Sequence, residues 1–122
     1  MEKDIISFNQ ALELCIIGFN EDTLCMYEIE NRQLCLCSID EEGLYIPDKD
    51  LHAPTKSQVF RWFREKYELS SWIYNTNSDR YFYTILKDGR FVKDNEARTT
   101  YEEAENACID KLIEIAKANN AH

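Results

Sequence analysis

Glycine and proline are scarce in this chain, 3 and 2 residues among 122, which argues against a disordered or linker-like polypeptide. Gly18, Gly43 and Gly89 also stand far apart. A phosphate-cradling loop needs clustered glycines so that backbone N–H groups can approach the anion, so nucleotide hydrolysis is not expected. No apolar run approaches the length of a membrane span, and Met1 to Ile6 lacks the basic start and long apolar core of a signal peptide. The expectation is a cytoplasmic protein with no membrane contact. CxxC pairs are missing as well: Cys15, Cys25, Cys35, Cys37 and Cys108 are an odd number, scattered over helix and strand interiors. They read as small reduced core residues. With only His52 and His122 to complement the thiols, neither a structural metal nor another cofactor is expected.

What is present is the composition of a globular protein, 44% hydrophobic and 30% charged. The length suits one domain over 1–122, able to bury roughly two-thirds of the surface of its unfolded chain. Net charge is −9, and it is uneven. Through Ala53 there are 12 acidic and 3 basic residues, whereas Pro54 onward carries 11 of each. Such asymmetry either keeps the protein in solution or marks a partner surface.

Three times a hydroxyl residue precedes Gln or Glu by three positions and opens an apolar stripe: Ser7/Gln10, Thr55/Gln58 and Thr100/Glu103. This is the capping-box pattern, in which side chains satisfy the orphaned N–H groups of a helix start. The first helix is predicted from about Phe8 to Ile17, with Ala11, Leu14 and Cys15 inward and Gly18 as its stop. "TLCMYEIE" and "QLCLCSI" predict a hairpin turning at Asn31 and Arg32. One of its faces carries Cys25, Tyr27, Ile29, Leu34 and Leu36. Residues 40–53 read as an acidic loop. The second helix follows Pro54 with a stripe of Val59, Phe60, Phe63 and Tyr67, while Arg61 stands four residues before Glu65 and Arg64 four before Glu68. "SSWIYNT", "RYFYTILKD" and "RFVK" predict a meander with Asp88–Gly89 at its second turn. The last helix starts at Thr100, with Ala104, Cys108, Leu112 and Ile115 inward.

The expected fold is therefore α+β, in the order α-β-β-α-β-β-β-α, with three helices packed on antiparallel strands. Its parts are an N-terminal helix plus hairpin over 5–40, the acidic loop, and an α-β-β-β-α part over 54–118.

The words "APTKSQVFRWFREKY" and "TTYEEAENACIDKLIEI", with "SFNQALELCIIGF" upstream, resemble a family of short uncharacterised proteins encoded by phages and prophages of gut bacteria. The resemblance spans most of the chain and implies no catalytic residue. The order of elements over Thr55 to Ala116 is similar to that of a double-stranded RNA-binding domain. That family grips phosphates with a lysine-rich helix start, where this chain has Glu102, Glu103 and Glu105. The departure argues against direct nucleic-acid binding.

Residues with chemistry to offer are few. Asp48, Asp50 and His52 alternate like metal ligands, but an EF-hand count from Asp48 puts Ala53 at the turn glycine and Val59 at the bidentate Glu, so they read better as ordinary loop residues. Lys56, Arg61, Arg64 and Lys66 give the second helix a basic excess. Trp62 beside Arg61 is either a contact hot spot or a ring tucked under the N-terminal hairpin. The meander is aromatic on both faces, and Trp72 and Tyr74 are either cross-strand packing or a face that a partner, including a second subunit, covers. The expected function is a non-enzymatic, phage-type accessory protein that binds an unidentified protein through Arg61, Trp62, Arg64, Trp72 and Tyr74. The alternative is an acidic decoy for a nucleic-acid-binding host protein, presenting Asp40, Glu41, Glu42, Asp48 and Asp50.

Overall fold

The computed structural model describes residues 4–40, 43–45, 50–76 and 79–120. The chain divides into two compact units, Met1–Lys56 and Ser57–His122.

In the first unit, α1 (Phe8–Ile16) begins as its capping box dictates. The Gln10 N–H donates to Ser7 Oγ at 3.1 Å, and the Ser7 N–H donates to Gln10 Oε1 at 3.0 Å. It ends on Gly18 at φ +100°, a left-handed conformation that suits glycine. There the Gly18 N–H reaches the Cys15 carbonyl at 3.1 Å and the Phe19 N–H the Leu14 carbonyl at 2.9 Å, the paired bonds of a Schellman stop. The inward residues are Gln10, Ala11 and Leu14. Cys15, expected with them, is exposed: one residue past Leu14 is a rotation of about 100° on a helix, enough to leave a narrow stripe.

A small sheet in the order β2-β1-β5 follows, from β1 (Cys25–Tyr27), β2 (Leu34–Leu36) and β5 (Leu51–Ala53), all antiparallel. Pairing Cys25 with Leu36 and Tyr27 with Leu34 places these four on one face, as expected. Ile5, Cys25 and Ala53 form a buried cluster with Tyr27 and Leu34 packed against it. The connection is longer than predicted. Glu28 and Gln33 close the ladder, the chain turns through 29–32 with Arg32 at φ +58°, and Ile29 leaves the face for solvent.

Two expectations for 34–53 are corrected. The second hairpin run splits after Leu36, its continuation β3 (Ser38–Asp40) pairing with β4 (Gly43–Tyr45). The acidic loop contains β5, which adds to β1. Setting aside the β3–β4 pair, the order is α-β-β-β-α-β-β-β-α, an α+β fold with three helices and two three-stranded antiparallel sheets. Three-residue strands carry almost no periodicity of their own, and they form because a partner strand offers bonds.

The second unit contains all but the first residue of α2 (Lys56–Tyr67), with β6 (Ser70–Thr76), β7 (Arg80–Lys87), β8 (Arg90–Lys93) and α3 (Tyr101–Asn120). The strands form an antiparallel sheet in the order β6-β7-β8. Asp88 and Gly89 join β7 to β8 with φ of +52° and +76°, the positive values that a tight primed hairpin turn requires. The Glu103 N–H donates to Thr100 Oγ1 at 3.1 Å, and the Thr100 hydroxyl donates to the Glu103 carboxylate at 3.0 Å, so α3 is capped where expected. Its buried stripe is Ala104, Cys108, Ile109, Leu112, Ile113 and Ala116; Ile115, expected inward, is half-buried, because the stripe steps by four to Ala116. On α2 the buried residues are Lys56, Val59, Trp62 and Phe63, whereas Phe60 and Tyr67 are half-buried.

After β8 the chain is tied back by a polar knot that sequence reasoning missed. The Asp94 carboxylate accepts from Arg98 and from the Tyr83 N–H at 3.3 Å, and Arg98 exchanges two backbone bonds with Tyr81 at 2.8 and 3.1 Å. Arg98 also lies 5.6 Å from the centre of the Tyr83 ring. The Asp94 side chain is 3% exposed, so these bonds satisfy a buried carboxylate.

Candidate interaction surface

Alternation along the strands separates the two faces of the β6-β7-β8 sheet. Residues opposite one another share a face, so Ser71, Ile73, Tyr83, Ile85 and Val92 belong together. α3 packs on β6 and β7, and the Cys108 thiol hydrogen-bonds to the Ser71 side chain, which identifies this as the helix-covered face. The other face carries Trp72, Tyr74, Phe82, Leu86 and Phe91. Trp72 is 45% exposed, Tyr74 36% and Phe91 57%. The rings brace one another: Trp72 meets Phe91 edge-on at 6.1 Å, and Tyr74 stacks on Phe82 at 5.7 Å. By register, Arg80 and Lys93 stand on this same face, which has no acidic residue at any strand position.

On the helix-covered side an open groove of about 400 Å³ runs beside β6. Ser57, Phe60 and Arg64 of α2 line it at helical spacing, with Ser71, Trp72 and Ile73 of β6 and Tyr101 and Glu105 of α3. Burial pushes the Tyr101 hydroxyl above its ordinary pKa, and the carboxylates of Glu105 and Glu102 act in the same direction.

The five residues expected to make contacts are therefore placed differently. Trp72 and Tyr74 lie on the open sheet face, Arg64 lines the groove, and Arg61 is exposed on α2. Trp62 is only 5% exposed, its ring packed edge-on against Phe63 and Tyr67 at 5.1 and 5.4 Å, so it offers no exposed contact. The predicted Arg64–Glu68 pair is absent. Glu68 lies past the last helical residue at φ +57°, which turns it off the helical ladder. Phe91 and Tyr101 were not singled out from sequence, and Phe60 was expected only in the apolar stripe of the second helix. Phe91 was accessible to it, since counting back from the Asp88–Gly89 turn sets it opposite Leu86.

Of the ligand-like string, His52 faces Thr23: its Nδ1 lies 3.3 Å from Thr23 Oγ1, whose proton goes to the Cys25 carbonyl at 2.7 Å. Burial lowers the His52 pKa, and the nearby Asp22 opposes that shift. Asp48 lies outside the described residues, as do Glu41 and Glu42 of the acidic surface. Among the described residues no group of three or more His, Cys, Asp and Glu side chains could hold a metal ion. No described helix is long and apolar enough to cross a membrane.

Fold and surface together define an α+β protein with one aromatic sheet face left open. Comparison with protein-family models, with curated proteins and with solved structures gives no match to this chain.

Proposed function

We propose that the protein is a non-enzymatic protein–protein interaction module, a phage-type accessory protein in keeping with the resemblance of its helix sequences. The observation that carries this reading is the exposure of Trp72, Tyr74 and Phe91 side by side on a strand face with no acidic member. Three large rings held in water forgo burial that would stabilise the monomer, and aromatic residues dominate the binding energy of interfaces. Edge-on and mutually stacked rings present a ridged apolar surface that suits side chains of a protein. The α-β-β-β-α order of the second unit is similar to that of double-stranded RNA-binding domains. The start of α3, with Glu102 and Glu103 in its first turn, repels phosphate where those domains attract it.

The test is affinity capture from host-cell extract with the unaltered chain and with Trp72→Ala/Phe91→Ala. A protein retained by the first and lost by the second is expected. Equal retention by both, with Trp62→Phe as a folded control, overturns the reading.

A further inference from the structure

The edge of β6 is undefended. This strand has a neighbour on one side only among the described residues, and none of the backbone hydrogen bonds made outside helices and strands involves residues 70–76. Strand edges are normally blunted by lysine, proline, a bulge or brevity. β6 has seven residues, Ser-Ser-Trp-Ile-Tyr-Asn-Thr, with no charge, no proline and no glycine. β8, at the opposite edge, has four residues and carries Arg90 and Lys93 at its ends. One edge is protected and the other is left as a template.

The groove lies along that template. Its floor includes three consecutive β6 residues, Ser71, Trp72 and Ile73, and its apolar lining comes from Phe60, Ile73 and Tyr101. Arg64 also lines it, exposed and making no hydrogen bond or ion pair among the described residues, while Glu105 has an interaction of its own. A strand laid beside β6 would send alternate side chains to opposite faces. One set would enter the groove, and the other would cover Trp72 and Tyr74.

We propose that β6 accepts, as a fourth strand, an extended peptide segment of a partner protein. That segment places an apolar side chain between Phe60, Ile73 and Tyr101 and a carboxylate on Arg64. Main-chain bonds to the β6 edge supply affinity, while the groove and the Arg64 guanidinium supply selectivity. The volume suits a few side chains of one strand, at the small end of the roughly 300–1,000 Å³ of ligand pockets. This inference rests on the interaction-module reading and names its partner's chemistry.

The test is an NMR titration of the full chain with acetylated, amidated heptapeptides of alternating valine and threonine, a single glutamate walked through the positions. At least one peptide is expected to shift the amides of Ser71 to Asn75. Methylating alternate peptide nitrogens on the pairing edge should weaken it about tenfold or more, as lost strand pairing demands. Arg64→Glu, at an exposed site, should weaken it about tenfold and transfer preference to the lysine-containing counterpart. A full peptide set that leaves the β6 amides unmoved overturns the proposal, as does binding indifferent to both N-methylation and Arg64→Glu. Shifts confined to Phe91, Lys93 and Thr84 overturn strand addition while upholding the open face as a contact surface. A dimer by light scattering with β6 amides protected from exchange overturns it in favour of a second copy of this chain.

Discussion

Cys108 provides a quantitative test of the α3–sheet packing. Its thiol is fully buried, and desolvation pushes its pKa from the ordinary 9.0 up to about 12. The Ser71 hydrogen bond opposes the shift, while the charges of Asp94 and Glu105 add to it. At about 1.36 kcal/mol per unit, three units correspond to a differential of order 4 kcal/mol between thiol and thiolate. Because the folded pKa lies above the unfolded one, the stabilisation is complete below pH 9 and is lost as pH rises from 9 toward about 12. At pH 8 an ordinary thiol is about 10% ionised, and one with this shift about a thousandfold less. Alkylation with iodoacetamide at pH 8, mapped by mass spectrometry, should therefore modify exposed Cys15 first. Cys108 should react only at the rate of unfolding, so denaturant that accelerates unfolding should accelerate its labelling in proportion. Labelling of Cys108 within about tenfold of Cys15 under native conditions would refute the burial argument.

Three further outcomes follow from particular residues. Trp62→Ala should cost about 3–5 kcal/mol in denaturant unfolding, since its ring is core, whereas Trp72→Ala on the open face should cost clearly less; equal losses would place both rings in the core. Thr100→Ala removes the acceptor of the Glu103 N–H and should cost about 1 kcal/mol, read as a lowered urea midpoint at unchanged slope. Gly89→Ala meets no atom within 4 Å, so its cost of about 1–2 kcal/mol should come from φ +76° alone, and Gly89→Asn, which tolerates that region, should recover part of it.

Local chemistry made most of this fold legible. Capping boxes located the starts of α1 and α3, Gly18 located a helix stop, and Asp88–Gly89 located the turn that sets the β7–β8 register. Each signal depends on a few adjacent residues and survives without knowledge of the rest of the chain. β5 was illegible for the opposite reason: its partner β1 lies elsewhere in the chain. β4 pairs with the adjacent β3, but strands of three residues among acidic neighbours look like a solvated loop. The Asp94–Arg98 knot was hidden in a polar stretch whose spacing, four residues in a non-helical segment, implies nothing until Tyr81 is seen to pair with Arg98.

The interaction surface was half legible for a related reason. Trp72 and Tyr74 alternate with Ser71 and Ile73, so the sequence places them on one face, but which face the helices cover is settled by Cys108 meeting Ser71. Trp62 illustrates the converse error. A stripe of Val59, Phe60, Phe63 and Tyr67 left Trp62 at its boundary, and turning the helix by a fraction of a residue buries the indole and frees Phe60. That same rotation, which loses Trp62 as a contact, brings Phe60 and Arg64 to the groove beside β6. The residue most conspicuous in sequence is thus core, and the groove is built from neighbours whose composition alone is unremarkable.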